Sequence, residues 1–521
     1  MEQATIRLVA AAKNLAIDEE IVIGKDVLEL VAGAMYADPL TVYREYVQNA
    51  ADAVDEARNA GVKYGSDQAH VLISLDHVER VVKVRDFGAG VPNADFQRRL
   101  TAVGASTKRG TKQRGFRGVG RLSGLGYCQK LIFRSRAAGD TKIKELHWDG
   151  RVLREKLRDP AFTGTIADLI RVVAHVRTLP DDGTFPPHFF EVEMRKVLRI
   201  KNDLLMNEAE IRSYLAQVAP VPFAPDFTHG REIAQKLADS GVTEPIRIEL
   251  TDDQGLIFHR AASQVQLGKQ ATLTFSGVQF RMLTNSADEP LAVGWILEHG
   301  YLGAMPRGSR LGGIRLRMRD VQVGDAYILA PLFVEQRFSS WAVGEFHVLH
   351  PKIVPNGRRD EFEHSAAYTE LQDELRRLAS EITQTIRSRS DERQRSKRLA
   401  LSISYAENWV DIAQRRSLHD TIRQAALDQA AEHVKAIDKQ CSKRQPAPES
   451  LAAAEKVRSQ VKRLTETLAK KKDQAERTPA TTKSALAAVS AILSSSMRAH
   501  KAVPMAERVV AAMEGRLKEK A

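Results

Sequence analysis

Glu45 and Asn49, in the segment REYVQNAADAVDEA, stand four residues apart and so share one face of any helix that contains them, one turn from each other. Such a pair can set a carboxylate base for water beside an amide oxygen that ligates a metal ion. A second block, Asp86-Phe87-Gly88-Ala89-Gly90, follows the alternating run VVKVR. A carboxylate at a strand end can accept a hydrogen bond from an exocyclic amine such as that of adenine, and Gly88 and Gly90 let the backbone approach a ligand. The third block, Gly115-Phe116-Arg117-Gly118-Val119-Gly120, opens an apolar stretch through Leu122, Ser123 and Leu125. Glycines at a helix start expose N–H groups to phosphate, and Ser106, Thr107 and Lys108 just upstream add further phosphate contacts. Taken singly, the blocks also read as a solvated helix face, a tight turn after a strand and a flexible basic loop. Order and spacing together favour a nucleotide pocket.

The elements that must position these residues follow from periodicity. From about 22 to 58 the apolar spacing is helical, broken at ADPL, where Asp38 and Pro39 suit a new helix start, and closed by Gly61. HVLISLDHV and RVVKVRDFGAG alternate as strands, and residues 93–126 form a polar, basic, glycine-dense lid followed by a helix. KLIFRSR is strand-like, and the Pro- and Phe-rich stretch VAPVPFAPDF ends a first domain. PIRIEL, ATLTFSGVQFRML and GIRLRMRDVQVGD are expected strands of a second domain. From Tyr368 through Leu371, Leu375, Leu378, Ile382 and Ile386 the period becomes helical, and Val457, Val461, Leu464 and Leu468 continue it on a Lys-rich helix. Helical hairpins or a coiled coil are expected there.

Composition narrows the class. With 521 residues, 43% of them hydrophobic and 28% charged, the chain is too long for one core and too apolar to be disordered. Its net charge of +12 is concentrated beyond residue 390, where 26 basic face 16 acidic side chains. A basic segment of this kind attracts nucleic acid, acidic lipid or acidic protein. Two cysteines, Cys128 and Cys441, are too few for a disulfide framework or a four-ligand zinc site, which points to the cytoplasm. No apolar run is long enough for a membrane span.

Helix ExxxN, a strand ending in DxGxG and a lid closed by GxxGxG together resemble the Bergerat-fold (GHKL) ATPases, the superfamily of gyrase, heat shock protein 90, histidine kinases and MutL. MYADPLTVYREYVQNAADAV looks most like heat shock protein 90, while GASTK and GFRG are equally similar to MutL. The resemblance implies an α+β chain with an N-terminal Bergerat-fold ATPase domain (1–225), an α/β middle, transducer domain (226–364) and a helical basic C-terminal region (365–521). It implies ATP and Mg²⁺ as ligands, with Glu45 the general base, Asn49 the Mg²⁺ ligand and Asp86 the adenine acceptor. Gly88 and Gly90 would shape the base pocket, Gly115, Gly118 and Gly120 would wrap the phosphates, and Lys108 would steady the lid. GIRLRMRDVQVGD and PNGRRDEFE resemble the middle domain of heat shock protein 90, which puts Asn356, Arg359 and Asp360 at that family's positions and makes Arg359 the γ-phosphate sensor. Gly164-Thr165 and Gly183-Thr184 compete for the family's later Gly-Thr element.

Two outputs fit. One is a cytoplasmic homodimeric clamp closing on a protein client, with helices beyond 365 joining the protomers. The other is a MutL- or MORC-like nucleic-acid clamp in DNA repair or bacterial anti-phage defence, suggested by the basic tail. A histidine kinase is disfavoured, because the ExxxN block begins at Glu45 and leaves no room for an upstream phosphoacceptor helix pair.

Overall fold

The computed structural model describes residues 24–25, 38–65, 68–104, 114, 120–268, 271–415, 420–443 and 446–474. Lys108, Gly115 and Gly118, with Ser106, Thr107 and the helix expected before Asp38, lie outside the described residues. The chain is α+β and packs as two compact units, 1–383 and 384–521.

The first unit begins with α1 (Thr41–Asn59), a helix whose Tyr43, Tyr46, Val47, Ala50, Val54 and Ala57 recur every three or four residues and are all buried. Asp38 accepts the Leu40 N–H at its start (3.0 Å). Gly61, at φ +89°, follows its end in a conformation that suits glycine. α1 packs on a seven-stranded sheet of β1 (Val71–Asp76), β2 (Val81–Asp86), β3 (Lys130–Arg136), β4 (Ile143–Asp149), β5 (Ala174–Leu179), β6 (Phe189–Arg195) and β7 (Ile248–Leu250). Their order is β5-β4-β3-β6-β2-β1-β7, antiparallel except for β1 and β7. Helices α2 (Phe96–Thr101), α3 (Gly150–Arg158), α4 (Ile166–Val173) and α5 (Glu208–Val218) complete this layer.

Strand alternation divides the sheet's faces. Ile73, Val84, Phe133, Leu146, Trp148, Val192 and Met194 join the core under α1. On the intervening positions Arg134 bonds Glu145 (2.6 Å), Glu191 (2.6 Å) and Glu193, and Arg85 bonds Glu191 (2.7 Å). PIRIEL, expected in the second domain, instead supplies β7 to this first sheet, where Val71 pairs with Ile248. β1 would otherwise present an unpaired edge, and the short parallel strand covers it.

A second sheet, ordered β10-β11-β14-β12-β13, is built from β10 (Gly277–Thr284), β11 (Pro290–Glu298), β12 (Gly313–Met318), β13 (Val321–Val323) and β14 (Val343–Val348). Val293, Trp295 and Leu297 of β11 pack with Ile233 and Leu237 of α6 (Gly230–Asp239) and with Leu273 of the hairpin β8 (Gln264–Leu267) and β9 (Ala271–Thr274). The buried Glu345 carboxylate on β14 is surrounded by Arg317 (2.7 Å), Arg260 (3.1 Å) and His259 (3.0 Å). Burial opposes its ionisation, but the Arg317 and Arg260 cations and the His259 hydrogen bond hold its pKa well below the usual carboxylate range.

Three helices follow among the described residues: α7 (Ala366–Gln414), α8 (Asp420–Lys443) and α9 (Pro448–Gln474). The amphipathic stripes beyond residue 390 lead the sequence reading to expect burial against a second chain. The structure corrects that reason for a dimer: Ile403, Trp409 and Val410 of α7, Leu427, Ala430 and Ile437 of α8, and Val457, Val461 and Leu468 of α9 form one core within the second unit. Three stripes from one chain suffice to exclude water. Among the described residues no helix is long and apolar enough to cross a membrane.

Candidate functional site

The site grows from the polar face of α1. Glu45 is 9% exposed, and its Oε1 lies 3.4 Å from the Arg44 Nη2, which also donates to the Arg358 carbonyl (3.2 Å). One turn on, the Asn49 side chain is half-buried and has no hydrogen-bond partner among the described residues, leaving its amide available to a ligand. Asp52 and Asp55 continue the same side of the helix toward Arg114.

Asp86 ends β2, held in register by Val71 of β1 and Phe190 of β6, and is 3% exposed. Its Oδ1 accepts the Gly88 N–H at 3.0 Å, which turns the chain sharply away from the strand. A methyl on Gly88 would meet the Ala53 backbone of α1 at 2.5 Å, and one on Gly90, at φ +70°, would meet the Arg136 carbonyl at 2.3 Å. Both glycines therefore let the loop settle against protein backbone, which carries Asp86 to α1. His188, just before β6, bonds the Gly88 carbonyl through Nδ1 (2.7 Å).

Of the third block, Gly120 is described and opens a 3₁₀ turn, Gly120–Gly126, where the sequence suggested a longer helix. A methyl there would meet the Glu45 Oε2 at 2.1 Å. The glycine-rich block thus reaches the carboxylate itself. The Gly124 N–H donates to the Tyr46 hydroxyl (3.0 Å), pinning the turn to α1.

Asn356, Arg359 and Asp360 lie on a hairpin closed by Pro355 and Phe362. The Asn356 Nδ2 bonds the Asp360 Oδ1 (2.5 Å). Arg359 adopts φ +57°, is 6% exposed and donates to the Arg114 carbonyl. The structure brings together Glu45, Gly120 and the loop of Arg358 and Arg359, on one side of α1, and Asp86, Gly88 and Gly90 where β2 meets that helix. Of the competing Gly-Thr pairs, Thr165 is engaged as the N-cap of α4, in a reciprocal box with Asp168, and Thr184, bonded to Asp182, stands on the loop entering β6, the strand that pairs with Asp86.

Sequence reasoning missed Arg44, Arg114 and His188. Arg44 could have been found as the neighbour of Glu45. Arg114 and His188 carry no local signal, since their partners Arg319, Arg359 and Gly88 lie about a hundred residues away or more.

A buried carboxylate at a strand end, an available amide and a glycine turn on a second carboxylate fit ATP with Mg²⁺. Residues 39–161 match the family described as histidine kinase-, DNA gyrase B-, and HSP90-like ATPase. Chaperone protein HtpG of Acinetobacter baylyi is 30% identical over 158 residues, 26% of this chain and 24% of that protein. HtpG of Rickettsia prowazekii is 24% identical over 262 residues, 46% of this chain and 38% of that one. HtpG of Citrobacter koseri is 28% identical over 145 residues, 24% of this chain and 23% of its own length. The chain thus spans well under half the length of these relatives. It carries an ATPase domain of the GHKL superfamily, and within that superfamily it resembles heat shock protein 90.

Proposed function

We propose that this protein binds and hydrolyses ATP and uses the nucleotide to close a heat shock protein 90-like clamp on a protein client. The observation that carries the reading is the meeting of Glu45, Gly120 and the Arg358-Arg359 loop on one helix that also bears Asn49. Asp86 would accept the adenine amine, and Asn49 would hold Mg²⁺. Bound Mg-ATP supplies the phosphoryl group and the charge neutralisation that its transfer requires. Glu45 orients a water and takes its proton, with Arg44 beside it fixing the carboxylate. Arg359 would offer a planar fork to phosphate oxygens. The division into 1–225, 226–364 and 365–521, with Ile248–Leu250 lent back to the first sheet, the homodimer and a cytoplasmic setting belong to this proposal and rest on the family resemblance.

The test is a paired one. Asp86→Asn should abolish ATP binding in a calorimetric titration, because an amide in that place loses the charge and acceptor pattern the amine needs. Glu45→Ala should keep binding and lose about 10²–10⁴-fold in turnover. Parental affinity in the first variant or parental turnover in the second would refute the site.

One observation favours an added partner. Residues 387–398 of α7 read RSRSDERQRSKR, contain no apolar side chain, and none of them is buried. Arg389 and Arg393, and Arg393 and Lys397, repeat like charge one turn apart, which weakens the helix itself. Without an apolar face this segment suits a phosphodiester backbone better than a membrane surface. Duplex DNA should bind with a logarithmic salt slope of up to about −5 for six contacts. Replacing Arg393, Arg395, Lys397 and Arg398 by Gln should remove it. Binding unaffected by that change, or none at all, would exclude nucleic acid as a partner of this segment.

A further inference from the structure

We propose that Arg114 is a positioning residue for the ATPase site, joining the glycine-rich block, α1 and the Arg359 loop. This rests on the reading of Glu45 and Arg359 above.

The Arg114 side chain is only 2% exposed, and its polar groups reach α1, the turn between β12 and β13 and the Arg359 loop. Its N–H donates to the Asp52 Oδ1 (2.6 Å), its Nη1 pairs with Asp55, and its Nε donates to the Arg319 carbonyl (2.9 Å). Its own carbonyl accepts from the Arg359 guanidinium. Asp52 lies two turns beyond Glu45 on α1, so the residue that receives Arg359 is fixed to the helix that bears the base.

The charge arrangement explains why an arginine serves here. The Arg114 cation is matched by Asp52 and Asp55, and it is the Arg114 backbone carbonyl, not its side chain, that receives Arg359. Lys could not span Asp55 and the Arg319 carbonyl from one planar group.

Two of the partners adopt left-handed backbone conformations that side chains other than glycine take only at some cost. β12 and β13 are joined by the two residues Arg319 and Asp320, at φ +52° and +62°, where Asn and Gly would be the easy choice. Arg359 is at φ +57°, and its carbonyl is tied to the Gly324 N–H (2.8 Å) just after β13. Two left-handed non-glycine residues, Arg319 of the hairpin turn and Arg359 of the loop after β14, thus converge on Arg114. Arg114 immediately precedes Gly115 in the sequence.

The experiment compares full-length wild type, Arg114→Ala, Arg114→Lys, Asp55→Asn, Arg359→Ala and the double variant Arg114→Ala/Arg359→Ala. ATP affinity is measured by calorimetry, turnover at saturating ATP and folding by thermal melting. Arg114→Ala should lose about 10–100-fold in turnover, the size expected when a catalytic group is misplaced by an ångström or so. Affinity should change by less than about threefold, since no binding contact is removed. Asp55→Asn should act in the same direction, and Arg114→Lys should not rescue. The double variant should be no slower than Arg359→Ala alone, because a positioning residue has nothing left to position. Parental turnover in Arg114→Ala, or effects that multiply in the double variant, would overturn the proposal. If Arg114→Ala does not fold, parental turnover in both Arg114→Lys and Asp55→Asn would overturn it equally. Turnover that does not depend on Arg359 would overturn the underlying reading as well, which separates the two failures.

Discussion

Two glycines of the site differ in what a methyl would strike, and the difference separates rate from stability. At Gly120 the obstacle is the end of the Glu45 side chain, which can swing aside. Gly120→Ala should therefore leave the melting temperature close to parental while turnover falls by about 10²-fold, as expected for a displaced catalytic group. At Gly88 the obstacle is the Ala53 backbone of a buried helix, which cannot move alone. Gly88→Ala should destabilise the protein by about 1–3 kcal/mol in denaturant unfolding. The reverse pattern, an unstable Gly120→Ala or a stable Gly88→Ala, would show that the loops are packed differently from this description.

Among the elements, the first sheet carries a lattice of charge on the face away from α1. Glu145 sits within it, bonded to Arg134 (2.6 Å), His147 (2.7 Å) and Arg177. Burial alone would raise its pKa, but the hydrogen bonds from His147 and Arg177 and the Arg134 charge prevail and hold it at about 2. An unfolded-chain glutamate titrates at about 4.3. The folded state thus gains stability from this carboxylate that is complete above that value and is lost as pH falls toward about 2. Chemical unfolding at several pH values should show wild type more stable than Glu145→Gln above pH 5, with the gap closing toward pH 2. A gap independent of pH would mean the ionised carboxylate is not what stabilises the sheet. The sequence shows these strands by their alternation but not their partners, since β2, β3, β4 and β6 meet across up to 113 intervening residues, those between Val81 and Arg195.

At the scale of the whole molecule, every residue assigned to the nucleotide lies before residue 360, and among the described residues the core of the second unit draws on residues 399–468. Removing residues from 391 onward should leave ATP binding at its parental affinity. Light scattering on the full chain and on the truncated one tests the dimer: a dimer lost on truncation supports the clamp, and a full-length monomer removes it. The self-sufficient core of the second unit makes this measurement necessary, because buried stripes no longer require a second chain.

By itself the sequence determined the chemistry-bearing blocks, their order and most of their local structure. Glu45 with Asn49, Asp86 with its glycines, and Gly120 are local patterns, and helix period and strand alternation are short-range properties that a single stretch of chain displays. Only the tertiary structure decided what those blocks meet. Gly88 and Gly90 make room for backbone from α1 and β3, β7 joins the first sheet, the helical stripes of the second unit cover one another, and Arg114 reaches Arg319 and Arg359. Those contacts depend on hydrogen-bonding groups and apolar faces that many partners could satisfy, and closure of the whole chain selects among them.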